Sequence, residues 1–417
     1  MKKVSFAVIG LGNRGWVYAS HVLKVPQDME IAAVADPKPE RRSHAATHLQ
    51  LKDSQIFDSA DALLAQPKLA DIAVIATQDR QHLDHAVRAM ELGYDLLLEK
   101  PISTTAKEVK IIADTANRLG RKVIVCHVLR YTPFYRAVKD LLDKGTIGRI
   151  MNIEAAEHVG YYHIAHSFVR GNWHKEADSC PMILAKCCHD MDLLLWLTGK
   201  HFEKVTSFGT LSYFNKENRP EGAPDRCEDG CPIENCPYHA QKYYLSTIPK
   251  WPSSVLHPDP NEENILEALR TTDYGRCVFA MDNDVVDHQV VNIQFESGVM
   301  ASFTMSGFNN IQSRTIRIAG TEGEIWGDFH AKELYWQRYK DTVHQVDLSE
   351  ANTSGHGGGD TGLVWDVIRY FRGEDFDTGS ITTIDRSAES HYLALAAEQS
   401  RVQGGQVICQ ADYIAQL

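Results

Sequence analysis

The chain has no apolar run approaching the roughly 20 residues that a membrane-spanning helix needs, which excludes a helical integral membrane protein. It is also short of positive charge. Lys and Arg number 43 against 55 Asp and Glu, and a formal net charge of −12 argues against nucleic acid or an anionic membrane surface as partner. No secretory leader is expected either. The opening MKKVSFAVIG places two lysines before an apolar run, but that run is short, meets Gly10 at once and has no small-residue cleavage site. It reads as a buried first strand. Nine cysteines form an odd set, with Cys187 and Cys188 adjacent, so reduced thiols in the cytoplasm are expected rather than a disulfide framework.

What is present describes a large globular protein. A length of 417 residues exceeds one ordinary core, so two domains are expected, and 43% hydrophobic with 24% charged residues suits a soluble chain. The segment KVSFAVIGLGNRGWVYASHVLK reads as strand, tight turn and helix. Gly10, Gly12 and Gly15 stand in the order G-x-G-x-x-G, with Asn13 and Arg14 between the last two. Gly10 permits the turn, Gly12 lets backbone approach a pyrophosphate, and Gly15 lets helix and strand pack closely. A second strand, EIAAVADP, ends in Asp36, near the offset of about 20 residues expected for the acid that holds a ribose 2′-hydroxyl. A carboxylate there repels a 2′-phosphate and favours NAD over NADP. Lys38, Arg41 and Arg42 read as the exposed start of the next helix.

The alternation continues through ADIAVIAT, the helical QDRQHLDHAVRAMELG, the strand YDLLLEKP, a helix from Thr104 to Leu119 and the strand RKVIVCHVL. Strands spaced by helices imply parallel crossovers and a doubly wound sheet. Ligands of such sheets lie beyond the carboxyl ends of the strands, where Thr77, His82, Glu99 and Lys100 fall. Further along, VVNIQFESGVMASFTMSGF alternates with period two and reads as a hairpin turning near Gly298.

GLGNRG, ATQDRQH and above all GYDLLLEKP resemble the Gfo/Idh/MocA oxidoreductases, the family of glucose–fructose oxidoreductase and inositol dehydrogenase. The resemblance extends to GTEGEIWGDF (320 to 329), GHGGGD (355 to 360) and AESHYLALAAEQSRVQGGQVI (388 to 408). It implies a Rossmann domain over 1–127. It also implies an α/β domain over 128–417 with a large, mostly antiparallel open sheet that walls the substrate pocket and often joins subunits. A homodimer or homotetramer follows as the expectation.

Lys100 matches the lysine that the family places beside nicotinamide and substrate. An ammonium there stabilises negative charge developing on an alcohol oxygen. The segment PMILAKCCHDMDLLLWLTG resembles the family stretch in which an acid precedes a histidine by four residues. His189 matches the histidine and is expected to act as general acid and base. Ala185 stands where the acid would be, with Lys186 one residue off register as a candidate substrate contact. Asp192, three residues after His189, is the candidate to orient it, against the alternative that Asp190 and Asp192 only complement the helix amino-terminus.

Upstream, AEHVGYYHIAHSFVRGNWH carries His158, Tyr161, Tyr162, His163, His166, Arg170, Trp173 and His174. No third-ligand spacing supports a metal there, and the stretch reads as a polar, aromatic pocket wall with Tyr162, His166 and Trp173 as substrate contacts. Arg130 and Tyr131 look like the segment that edges the pocket. Residues near 215–285 form an insertion holding Cys227, Cys231, Cys236 and His239 in the order C-x₃-C-x₄-C-x₂-H. That order leaves structural zinc and packed free thiols both open, and the insertion is expected to cap the cleft or mediate assembly. The Pro-rich IPKWPSSVLHPDPNEE reads as extended.

The resemblance implies an NAD-dependent oxidoreductase of carbohydrate metabolism that acts on a secondary hydroxyl of a sugar, sugar acid or cyclitol. Two alternatives stand beside it. One is a redox-assisted glycoside hydrolase or lyase that regenerates NAD in each cycle. The other is a non-enzymatic NAD- or sugar-sensing protein.

Overall fold

In the computed structural model, which describes residues 3–349 and 354–417, the apolar runs of the first third become parallel strands. They are β1 (Val4–Ile9), β2 (Met29–Ala35), β3 (Ile56–Phe57), β4 (Ile72–Ile75), β5 (Asp95–Leu98) and β6 (Val123–Val125). Their spatial order is β3-β2-β1-β4-β5-β6, so the chain reverses direction across the sheet between β1 and β4. A ligand crevice opens at such a point. Both sheet faces are buried, which is why these strands read as continuous rather than alternating apolar runs. Only β3 escaped sequence reading, because two residues are too few to show a period.

Helices α1 (Asn13–Ser20), α2 (Pro39–Leu49), α3 (His82–Glu91) and α4 (Ala106–Leu119) cover this sheet. The last starts two residues later than expected because the Thr105 hydroxyl caps it, accepting from the Glu108 N–H at 3.3 Å.

The second sheet runs β14-β13-β12-β11-β7-β10-β9-β8-β15 among the described residues. Its members are β7 (Ile150–Gly160), β8 (Phe202–Thr210), β9 (His288–Phe295), β10 (Met300–Asn309), β11 (Ser313–Gly320), β12 (Gly323–Asp328), β13 (Glu333–Arg338), β14 (His344–Gln345) and β15 (Ile408–Cys409). Only the β7–β10 pair is parallel; the other neighbours are antiparallel. The expected hairpin is β9–β10, turning at Gly298 with φ +77°. Its inner residues, Val291, Ile293, Ala301 and Phe303, join the core with helix α5 (Cys188–Thr198). Phe208, Val290 and Met300 stay exposed on the other face.

Packing also joins the two ends of the chain. Helix α6 (Gly359–Arg372) returns to the first sheet, where Leu363, Val364, Val367 and Ile368 join Phe6, Val8 and Val74. On the opposite face Ile384 and Ala388, at the start of α7 (Ile384–Val402), pack with Ile9, Ile75 and Leu98. The insertion has its own small core of Cys227, Ala240, Tyr244, Ile265 and Leu269, closed at the neck by an Arg226–Arg276 bridge. Its Pro-rich stretch is not simply extended: Ser253–Leu256 forms a helical turn. Among the described residues no helix is long and apolar enough to cross a membrane.

Candidate active site

Strand register decides which residues meet. Ile9 pairs with Ile75, Ile75 with Leu98, and Leu98 with Val125. Four strands therefore end in one row, and Gly10, Thr77, Glu99, Lys100 and His127 follow along the carboxyl edge.

The glycine turn fits a dinucleotide. Gly10 has φ +92°, and a Cβ on it would lie 2.4 Å from the Ala76 carbonyl oxygen. A Cβ on Gly15 would lie 1.7 Å from the Gly10 oxygen, whereas one on Gly12 meets only Arg41 Nη1 at 3.6 Å, leaving the backbone open to a phosphate. Asp36 Oδ2 accepts from the Leu11 N–H at 2.7 Å and Oδ1 from the Lys38 N–H at 2.9 Å, which fixes the carboxylate beside the turn. Arg41 pairs with Asp36 at 3.4 Å, and Arg42 donates to the Asp36 and Pro37 carbonyls, which draws both guanidiniums towards the end of β2. Replacing Gly15 with alanine should displace α1 and weaken NAD binding by about tenfold or more, equivalent to about 1.4 kcal/mol. A titration of bound NADH fluorescence checks this.

Several expected cofactor contacts are engaged elsewhere. Arg14 bonds Glu99 Oε1 at 2.7 Å, Asp360 Oδ1 at 2.7 Å and the Tyr18 hydroxyl at 2.5 Å. It locks the turn to the strand edge and to α6 rather than presenting itself to a phosphate. Burial pushes the Glu99 carboxyl up, but Arg14 and Lys100 outweigh it and hold it below its ordinary range. His82 is fully buried with its ring nitrogens on the Pro101 carbonyl (2.7 Å) and the Thr77 carbonyl (3.3 Å), a brace under the edge. Thr77 Oγ1 lies 3.1 Å from His85 Nδ1. Asn13, at the start of α1, remains exposed.

Lys100 and His189 come together. The Lys100 ammonium donates to the Ala185 carbonyl at 2.7 Å, so the residue standing in place of an acid contributes through its backbone. His189, in the first turn of α5, is 7% exposed, and its Nδ1 has no hydrogen-bond partner among the described residues. Burial first, then Lys100 and His127, lowers its pKa well below the ordinary histidine value. Lys186 joins them, its ammonium 3.5 Å from Glu157 Oε1. Arg314 pairs with the same Glu157 carboxylate at 2.5 Å and also donates from Nε to Asp190 Oδ1 at 2.8 Å. Asp190 thus anchors α5 to β11, beyond any role at the helix terminus. Glu157 and Arg314 lie on strands whose period shows a face but not a partner. His356 and Asp360 went unassigned although GHGGGD was visible; His356 bonds Asp360 at 3.0 Å.

Other expectations are corrected. Asp192 does not orient His189: both its oxygens are taken by Arg130, Nε at 2.7 Å and Nη2 at 2.6 Å. At 1% and 3% exposure this is a buried ion pair. His166 is buried too, bonded to the Tyr244 hydroxyl at 2.8 Å and stacked on Tyr274, so it fastens the insertion. Trp173 donates to Asp79 at 3.0 Å and ties the two sheets' loops together. Tyr162 remains half-buried beside Tyr243 and Trp251. His163 bonds Gln312. In the insertion, His239 caps the helix Ala240–Ser246 by accepting from Lys242 N–H, while Cys227, Cys231, Cys236 and Cys277 line a small cavity. Among the described residues no group of three or more His, Cys, Asp or Glu is placed to hold a metal ion.

Residues 4–127 match the model of an oxidoreductase family's NAD-binding Rossmann fold, and residues 139–375 match the family's C-terminal alpha/beta domain. The chain belongs to the Gfo/Idh/MocA oxidoreductases. Among Gfo/Idh/MocA relatives, the YteT protein of Bacillus subtilis is 26% identical over 330 residues, 76% of each chain. Inositol 2-dehydrogenase 2 of Saccharopolyspora erythraea is 26% identical over 206 residues, 49% of this chain and 56% of its own. The WlbA dehydrogenase of Bordetella pertussis, crystallised with NADH and UDP-GlcNAcA, shares the fold with a TM-score of 0.70 at 18% identity over 98% of both chains. This Gfo/Idh/MocA chain therefore carries an NAD-binding Rossmann domain joined to the family's second sheet.

Proposed function

We propose that the protein is an NAD-dependent oxidoreductase acting on a secondary hydroxyl of a sugar, sugar acid or cyclitol. The observation that carries this reading is the meeting of the Lys100 ammonium and the His189 imidazole at the row of strand ends beside the glycine turn. Relatives named for inositol and a neighbour crystallised with a UDP-sugar acid support the substrate class. Bound NAD supplies the hydride acceptor. Lys100 donates to the reacting oxygen and stabilises its developing charge, while His189 takes the hydroxyl proton. The ion-paired Lys186 stands beside them to contact substrate, with Tyr162 on the half-buried wall. The exposed face carrying Phe208, Val290 and Met300 is the surface for a homodimer or homotetramer.

Purified protein should be tested against cyclitols, aldoses, sugar acids and glycosides, with nicotinamide absorbance and product release followed together. NADH accumulating with one substrate class supports the dehydrogenase. Glycoside cleavage without net NADH would favour the redox-neutral cycle, and ligand binding without turnover would favour a sensor. The pH profile gives a second check. A base must be unprotonated to accept, so a lowered pKa moves the acidic limb of kcat/KM to below 6.5. A limb at about 7 or above counts against His189 as the base.

A further inference from the structure

The insertion carries aromatic rings that its own docking does not use. It is fastened by His166 on the Tyr244 hydroxyl and by Arg170, which donates to the Arg276 and Tyr238 carbonyls at 2.6 Å each. Tyr238 and Tyr244 are buried there. Tyr243 and Trp251 are instead half-exposed, as are Tyr161 and Tyr162, which follow β7. Tyr162 meets Tyr243 at 6.0 Å with ring planes at 32°, and Trp251 at 6.2 Å with planes at 68°. A Cβ on Gly160 would lie 2.7 Å from Tyr162 Cε1, so the glycine lets that ring lie against the strand end. Together the rings form a bent wall rather than a stack.

Two links put this wall beside the reacting groups. Glu157, which pairs with Lys186, lies on β7 three residues before Gly160, a rise of about 10 Å. The His163 ring touches Trp251 with centroids 4.9 Å apart, and burial first, then the charge of Lys186, lowers the His163 pKa. The chemistry of the wall suits a sugar ring. A pyranose presents C–H groups on its faces and hydroxyls around its rim, which match aromatic faces with polar tips. The Tyr161 and Tyr243 hydroxyls have no hydrogen-bond partner among the described residues. Neighbouring cations are spent on carbonyls, Arg170 as above and Lys242 on that of Glu234 at 2.6 Å, which disfavours a nucleotide diphosphate.

We propose that Tyr162, Tyr243 and Trp251 form a second sugar subsite. The substrate is then a disaccharide or longer glycoside, its reacting ring at Lys100 and His189 and its neighbouring ring stacked on the wall. This rests on the reading of Lys100 and His189 as the reacting pair and narrows its substrate class.

The test titrates NAD-loaded protein by calorimetry with glucose, galactose, maltose, cellobiose, lactose, melibiose and UDP-glucose, and follows turnover separately by nicotinamide absorbance. At least one disaccharide should bind about tenfold or more tighter than either monosaccharide. Trp251→Ala and Tyr243→Ala should each lose most of that ratio, and Trp251→Phe should keep it. A ratio of affinities does not depend on how much of a variant folds, and the wild-type comparison stands without any variant. Disaccharides that bind no better than the monosaccharides, or a preference that survives in both alanine variants, overturn the subsite. Tightest binding of UDP-glucose gives the wall to a nucleotide and overturns it as well. A preference lost in the variants, with no sugar turned over, keeps the subsite and sinks the proposed reaction instead.

Discussion

Replacing Asp192 with alanine should cost the fold about 3–5 kcal/mol, because it strands the Arg130 guanidinium without its bidentate partner. Arg130→Ala should cost a similar amount. Both groups are buried and face one another through two charge-assisted bonds, so neither remaining charge can regain water. Replacing the pair together, as Arg130→Met with Asp192→Leu, removes both charges and should recover most of the loss. Urea and thermal unfolding midpoints of the three variants measure this. A loss under about 1 kcal/mol for Asp192→Ala, with a lowered kcat, would return Asp192 to the role beside His189 that sequence reading gave it.

Lys100→Ala should lower kcat by about 10²–10³-fold, the effect of removing one preorganised donor from an oxygen that gains charge in the transition state. Stability should change little by comparison, since the lost bond to the Ala185 carbonyl is a single partly buried contact. NAD should still bind, because the glycine turn and Asp36 do not touch Lys100. Lys100→Arg should not rescue the rate, since a planar guanidinium cannot replace a compact ammonium at this distance from Ala185. Steady-state rates on the substrate found in the panel, with NAD affinity in parallel, test the argument. Wild-type kcat in Lys100→Ala would remove the ammonium from the reaction.

The first sheet was readable because its signals are local. Apolar runs, a glycine turn and Asp36 lie within short stretches, and the order of alternation fixes which strand ends share an edge. The β9–β10 hairpin emerged the same way. The errors concern side chains whose partners are distant in the chain. Arg130 and Asp192 are separated by 62 residues, and Arg314 and Asp190 by 124. Nothing local distinguishes a buried pair from pocket residues of the same types. His166 misled for a related reason: its partner, Tyr244, belongs to an insertion whose docking no periodicity reports.

Helix α6 and the start of α7 complete the two faces of the first sheet from the far end of the chain. During synthesis, β6 leaves the ribosome long before either does. At about 5–20 residues per second, the nascent chain waits about 10–50 s before Leu363 and Ile384 arrive to cover Phe6 and Ile9. Until then part of each face of the first sheet stays uncovered beside α1 to α4, and a chain cut after β6 would leave it so. The amino-terminal unit of this protein therefore completes its packing only once residues 363–388 have been made.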